Sequence, residues 1–295
     1  MFRFWRLKFE VSEEAKSFIS DFLLGLNSAG VAEDILEDRG VIEVSAYFPK
    51  EMDLNPVIES LKNYTSFLEG SLPGIRVGNT TVEEIDRSSW EIWKQELKTV
   101  RASKTVIIRP PWEQYIANDG EIVIEINPSM AFGTGHHETT RLCVQSMEEI
   151  IQNARVKKVL DVGCGSGILA ISAVKLGAHE AIGLDTDPVA IDEATKNLKR
   201  NSLLHKVKLF CGPIESVRGK FDLIVVNISA EVIFLIREQV KSRLKKGGKL
   251  IASGISYSRR DEVVRGLKGV GLILDRELRD GEWIALLFDV DKNRI

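Results

Sequence analysis

Three groups of residues in this 295-residue chain combine types and spacings that can do chemistry. The first is Asp161-Val162-Gly163-Cys164-Gly165-Ser166-Gly167, which follows a short apolar strand and opens a helix. Glycines there let the backbone turn sharply and approach a ligand with no side chain in between. About 22 residues beyond Gly163, Asp185 ends the next apolar run. A carboxylate there can accept both hydroxyls of a ribose, so the pair is expected to form an adenosine-binding site. The blander alternative is a tight glycine turn and a helix-capping aspartate. The second group is Asn127-Pro-Ser-Met-Ala-Phe132-Gly133-Thr134-Gly135-His136-His137-Glu138-Thr139-Thr140. Gly133 and Gly135 permit a loop that folds closely over a ligand. Thr140 can hydrogen-bond an amino-acid arm on the nucleoside, and Phe132 can cover a sulfonium or the adenine. The third is Val226-Asn227-Ile228-Ser229-Ala230, at the end of a further strand. Asn227 can accept a hydrogen bond from an attacking amine and aim its lone pair at a methyl carbon; alternatively, it caps the next helix.

The glycine run does not choose its cofactor alone. Gly163-x-Gly165-x-Gly167 fits a methyltransferase, yet Gly165-x-Gly167-x-x-Ala170 satisfies the dinucleotide fingerprint with alanine in third place. No Arg or Lys lies near these glycines to help with a pyrophosphate, which favours S-adenosylmethionine. An NAD-dependent oxidoreductase stays open as a rival reading, and so does a binding module without activity. His136-His137-Glu138 could suggest a metal, but adjacent side chains rarely converge and only His179 and His205 occur elsewhere. No metal is expected.

The elements around these motifs follow two rhythms. In residues 1–86, Leu7, Phe9 and Val11 alternate with Lys8 and Glu10, which is a strand period. Ser12 is placed to cap a helix whose apolar face is Ala15, Phe18, Ile19, Phe22, Leu23 and Leu26. Ile42 to Phe48 alternates again. A second helix carries Leu54, Val57, Ile58, Leu61 and Leu68, and residues 75–85 return as strand after a turn at Pro73-Gly74. With one more strand around Val31 to Leu36, this is a small α+β unit of ferredoxin-like type. Residues 87–105 are expected to be a linker helix, with Trp90 and Trp93 packing on a neighbouring domain.

From Val106 to the end, at 106–295, short apolar strands alternate with amphipathic helices. The strands are Lys158–Val162, Ala181–Asp185, Val207–Phe210, Asp222–Asn227 and Lys249–Ser253. Asp187-Pro188 starts a helix, and Gly247-Gly248 is expected to end the one through Ile233, Ile236, Val240 and Leu244. The pattern is an α/β fold with an open, Rossmann-like parallel sheet. Leu272–Leu278 and Glu282–Phe288, joined by Arg279-Asp280-Gly281, read as a terminal antiparallel hairpin. A parallel sheet finishing this way has the shape of class I methyltransferases.

A net charge of −3 and a hydrophobic fraction of 44% describe an ordinary globular chain with no global pull toward nucleic acid or anionic membrane. Cys143, Cys164 and Cys211 have no paired spacing, which fits a reducing compartment. No run approaches the ~18 apolar residues of a membrane span. A cytoplasmic protein is expected.

Taken together, the motifs resemble the ribosomal protein L-eleven methyltransferase family. The resemblance is carried by Ala131 to Thr140, Asp161 to Ile171, Asn227-Ile228, Ser253-Gly254-Ile255 and Gly281-Glu282-Trp283, and covers about residues 87–288. Asn127 stands where that family more usually has Asp, and Val226 where Ala is common. The resemblance implies an S-adenosylmethionine-dependent protein-lysine N-methyltransferase acting on lysine side chains and the N-terminal amine of the ribosomal protein. It implies cofactor contacts at Thr140, Gly163, Asp185 and Asn227, joined by Gly165, Gly167 and Phe132 from the residue reading, with Asn227 as the catalytic group. It assigns substrate recognition to residues 1–86. The expected enzyme is a monomer with no direct need of nucleic acid or membrane. A nucleic-acid amino-methyltransferase is the nearest rival; those enzymes usually follow their Asn or Asp with Pro-Pro-aromatic, where this chain has Ile228-Ser229-Ala230.

Overall fold

The computed structural model describes residues 4–12, 15–26, 28, 30–36, 41–72, 74–85, 98–127 and 137–290. The expected helix through Trp90 and Trp93, and the loop bearing Phe132, lie outside the described residues. The chain divides into two compact units, Met1–Leu97 and Lys98–Ile295.

The first unit runs β1 (Phe4–Val11), α1 (Lys16–Gly25), β2 (Gly30–Leu36), β3 (Val41–Pro49), α2 (Asn55–Ser71) and β4 (Thr81–Ile85). Its antiparallel sheet has the order β2-β3-β1-β4. Strand, helix, two strands, helix, strand in that order is the ferredoxin-like arrangement expected. Alternation in β1 and β3 sends Leu7, Phe9, Val44, Ala46 and Phe48 inward, against Ile19 and Leu23 of α1 and Val57 and Leu61 of α2.

Three local expectations change. Phe18 is 43% exposed, because it sits one residue, about 100° of rotation, off the buried Ile19. Ser12 does not cap α1: the helix starts at Lys16 with Ala15 before it, and the Ser12 hydroxyl accepts the Arg76 amide instead. The returning strand is shorter than residues 75–85. Val77 makes an isolated bridge to Val11, and regular pairing resumes only at Thr81.

The second unit opens with a small sheet that the sequence pattern did not announce: β5 (Val100–Arg101), β6 (Val106–Arg109) and β7 (Ile122–Glu125), with β6 and β7 parallel. The end of the expected linker is thus strand. Then come α3 (Glu138–Asn153), β8 (Lys158–Val162), α4 (Ile168–Lys175), β9 (Glu180–Asp185), α5 (Pro188–Arg200), β10 (Val207–Cys211), β11 (Phe221–Asn227), α6 (Ala230–Arg243), β12 (Leu244–Ser256), α7 (Arg260–Gly269), β13 (Leu272–Asp280) and β14 (Trp283–Val290). The main sheet has the order β10-β9-β8-β11-β12-β14-β13. Its first five strands are parallel, and β14 and β13 close it as the antiparallel hairpin expected.

The inner parallel strands β8, β11 and β12 are buried on both faces along their apolar runs, which is why these read as unbroken, whereas the edge strand β10 is largely exposed. Val159, Leu223, Val225 and Ile251 share one core with α3 and α4; Leu160, Ile224, Val226 and Leu250 share another with α6 and α7. Asp187 caps α5 by accepting the Val189 amide at 2.8 Å, ahead of Pro188. The helix expected to stop at Gly247-Gly248 stops at Arg243; Gly247, at φ +74°, lies instead in the irregular start of β12, where the pairing with β11 shifts register. Among the described residues no helix is long and apolar enough to cross a membrane.

Candidate active site

Strand register builds the site. Val162 of β8 pairs with Leu184 of β9 and with Val226 of β11, and Asn227 pairs with Ser253 of β12. One residue further along, Asp185, Gly163 and Asn227 therefore form one row across three adjacent strand ends. At about 4.8 Å per strand the row is roughly 10 Å long. It lies at the carboxyl edge of the parallel strands, where open α/β sheets bind ligands.

The glycine turn closes this edge tightly. Gly163, Gly165 and Gly167 all have positive φ, at +72°, +50° and +79°. The amides of Gly163 and Cys164 both donate to the Leu184 carbonyl at 2.9 Å, and the Gly167 amide donates to the Cys164 carbonyl at 2.8 Å. A Cβ on Gly163 would lie 2.5 Å from Cγ2 of Ile228, so the glycine turn and the Asn227-Ile228 segment abut. A Cβ on Gly167 would meet that of Ala194 at 3.1 Å, so this glycine also lets α5 approach. Asp185 is half-buried and holds its own surroundings: Oδ2 accepts the Gly165 amide at 2.9 Å, and Oδ1 accepts the Asp187 amide at 3.0 Å. The aspartate and the glycines, far apart in sequence, are in direct contact.

Asn227 is 8% exposed, and its Oδ1 has no hydrogen-bond partner. It does not cap α6; Ser229 occupies that position. Thr140 is fully buried in the first turn of α3, its hydroxyl likewise without a partner. His137 sets that turn by accepting the Thr139 amide at its ring Nδ1, and its ring meets Trp283 edge-on at 4.9 Å. The sequence reading passed over Asp161 as an acid. It is fully buried; Oδ2 accepts the Ala170 amide at 3.0 Å, Oδ1 has no partner, and burial pushes its carboxyl up to about 7. Among the described residues, no group of three or more His, Cys, Asp or Glu side chains could hold a metal ion.

Those three orphaned oxygens belong to residues on one side of the sheet. Asp161 and Asn227 continue the alternation of Val159 and Val225, whose side chains pack into the core shared with α3, the helix that carries Thr140. Buried polar atoms are rarely left unpaired in folded proteins, so three on one side of one sheet edge point to a polar ligand. A carboxylate at the end of β9, a turn with three glycines and these oxygens fit an adenosyl cofactor with an amino-acid arm.

Comparison with known proteins agrees. A family model described as Ribosomal protein L11 methyltransferase (PrmA) matches residues 3–291. The chain is 42% identical over 258 residues to the ribosomal protein L11 methyltransferase of Thermoanaerobacter pseudethanolicus, covering 86% of this chain and 82% of the relative. To the protein of the same name from Clostridium botulinum it is 38% identical over 299 residues, covering 93% and 94%. A crystal structure of ribosomal protein L11 methylase from Lactobacillus delbrueckii subsp. bulgaricus matches with a TM-score of 0.60 and 33% identity, over 65% of this chain and 96% of that one. The chain belongs to the ribosomal protein L11 methyltransferase family, S-adenosylmethionine-dependent enzymes that methylate this ribosomal protein.

Proposed function

We propose that this enzyme moves methyl groups from S-adenosylmethionine to lysine side chains and the N-terminal amine of ribosomal protein L-eleven, with Asn227 orienting the amine. The observation that carries this reading is the row Asp185, Gly163, Asn227, with an unpartnered amide oxygen at its far end. Asp185 would hold the ribose, and Gly163, Gly165 and Gly167 would let the backbone line the cofactor. Thr140 would bond its amino-acid arm, and Phe132 would cover it.

The bound cofactor supplies an activated methyl on a sulfonium. The protein's task is mainly to position the amine in line with it. Asn227 Oδ1 can accept an N–H of the neutral amine, which leaves the nitrogen lone pair free to point at the methyl carbon. A lysine of pKa ~10.4 must first lose a proton, at about 4–5 kcal/mol at pH 7; partial desolvation of the ammonium reduces that cost. The reading assigns no dedicated base, and the proton leaves to solvent.

Residues 1–86 are read as the recognition domain and residues 106–295 as the methyltransferase domain. The first has a complete core of its own and none of the site residues, which supports a role in gripping the protein substrate. Monomeric action in the cytoplasm, with no nucleic acid or membrane required, completes the reading. Its support is the sequence itself: a net charge of −3 gives no global pull toward nucleic acid or anionic membrane, and three cysteines without paired spacing fit a reducing compartment. Incubation with methyl-labelled cofactor and purified ribosomal proteins, followed by mass spectrometry, tests it: label should appear on amines of L-eleven alone. Label on RNA, or on a different protein, would contradict it.

A further inference from the structure

The buried face of α5 carries Asn197 beside Ala190, Ala194 and Leu198, and Asn201 continues it just past the helix end. Asn197 and Asn201 lie one helical turn apart and are buried, Asn197 completely. They meet the outer edge of β7. The β6 side of that strand is used by its own ladder, with Ile122 and Ile126 donating to the Thr105 and Arg109 carbonyls. Backbone groups of a strand alternate in direction, so the amides of Glu125 and Asn127 point the other way. There the Glu125 amide donates to Asn201 Oδ1 at 3.1 Å, and Asn201 Nδ2 donates back to the Glu125 carbonyl at 2.7 Å. Two residues on, the Asn127 amide donates to Asn197 Oδ1 at 2.9 Å. Two side-chain amides thus stand in for a missing neighbour strand.

Asn197 differs from Asn201 in its remaining partner. Asn201 Nδ2, from the residue that ends α5, turns back to the Asn197 carbonyl at 2.9 Å. Asn197 Nδ2 donates instead to the Ser166 carbonyl at 3.0 Å, between Gly165 and Gly167 of the glycine turn. The orientation of this amide is forced, since an N–H needs its oxygen and a carbonyl needs its nitrogen. One buried side chain therefore joins the glycine turn to the chain at Asn127.

We infer that Asn197 is a positioning residue for cofactor binding: it fixes the Ser166 carbonyl, and with it the glycine turn, relative to the strand that ends at Asn127. It touches no reacting atom. The inference rests on the reading of the glycine turn as the adenosyl cradle. With Asn197 lost, the Ser166 carbonyl loses this donor and the turn is held less firmly, so cofactor affinity falls while the chemistry at Asn227 is unaltered. Asn201 holds the same strand from the same helix without touching the turn, so it contributes stability and not affinity.

The test uses the full chain, with calorimetric titration of S-adenosylmethionine, thermal unfolding and steady-state kinetics. Asn197→Ala should raise the cofactor Kd about tenfold or more, as expected for losing one buried hydrogen bond of the turn, with kcat at saturating cofactor within about threefold of the parent. Asn201→Ala should lower Tm at least as much yet leave Kd within about twofold. Asn197→Asp provides a rescue. A protonated carboxyl can both donate to Ser166 and accept from Asn127, whereas the carboxylate can only accept. Its Kd, relative to the parent at each pH, should approach unity as pH falls from 8 to 5.5. The charged groups beside it on β6, β7 and α5, Arg109, Glu125 and Arg200, are already joined in ion pairs and are common to both proteins. If Asn197→Ala does not fold, this ratio decides alone. An unchanged Kd in Asn197→Ala, an equal loss in Asn201→Ala, or a ratio flat with pH would each overturn the inference. Asp185→Ala is titrated in parallel; if that variant also binds normally, it is the cradle reading that has failed, and not the role of Asn197 within it.

Discussion

The Asp185 carboxylate accepts the Gly165 amide at 2.9 Å, so the acid read as the ribose holder also pins the glycine turn. Its loss should therefore act twice. Asp185→Ala is expected to weaken S-adenosylmethionine binding by roughly 1.5–3 kcal/mol, or about 10- to 150-fold in Kd. Asp185→Asn keeps an acceptor for the amide and should lose less. Titration calorimetry checks both, and a Kd unchanged in Asp185→Ala would remove this residue from the site.

Gly163 faces two obstacles to any side chain: a φ of +72° and the Ile228 methyl 2.5 Å from where a Cβ would stand. Gly163→Ala should cost about 1–3 kcal/mol of stability and weaken the cofactor as the turn shifts. Adding Ile228→Ala relieves the contact but not the backbone strain, so recovery should be partial. Complete recovery in the double variant would show that backbone strain contributes nothing.

Asp161 carries a pH signature. Its carboxyl stands at about 7 in the folded protein because burial disfavours the charge, whereas in the unfolded chain it titrates near ~3.9. The folded state then binds this proton more tightly than the unfolded state does. The associated stability is fully present below about pH 4 and is lost as pH rises to about 7. Asp161→Asn cannot ionise, so the difference in stability between it and the parent should grow in favour of the variant across that window. Denaturant unfolding at a series of pH values measures this; a constant difference would mean that Asp161 is ionised throughout.

Much of this was legible in the sequence, for physical reasons. Strands β8, β11 and β12 are buried on both faces along their apolar runs, so those runs stand out. The glycines and Asn227 sit at the ends of those runs and Asp185 at the end of β9, and that is enough to place them along one edge. The sheet of β5, β6 and β7 was not legible. Its strands are two to four residues long, and its outer edge is completed by the side chains of Asn197 and Asn201, polar residues that give no apolar signal although they share the buried face of α5 with Ala190 and Ala194. Asp161 was passed over because spacing alone does not reveal that a carboxylate is buried with one oxygen unpaired. Gly247-Gly248 misled because glycine ends helices and shapes strand irregularities equally well.

The division of labour between the two units predicts a separable loss. Deleting residues 1–86 should leave cofactor Kd nearly intact, because every described residue of the proposed site lies beyond Ile126. Methylation of folded L-eleven should fall steeply through the loss of tethering. Titration and methyl transfer on one truncated protein, with folding verified by its thermal transition, decide the matter. Equal rates for truncated and full-length enzyme would show that recognition lies elsewhere.

The central claim, methyl transfer to an amine oriented by Asn227, is met most directly by mass spectrometry of purified L-eleven after single-turnover incubation with S-adenosylmethionine. The parent enzyme should add methyl groups to lysine side chains and the N-terminal amine. Asn227→Ala should slow that step by about 100-fold or more, with a much smaller change in cofactor Kd, because the lost hydrogen bond orients the nucleophile. Transfer at the parental rate by Asn227→Ala, or methyl groups found on atoms other than amine nitrogens, would contradict the account.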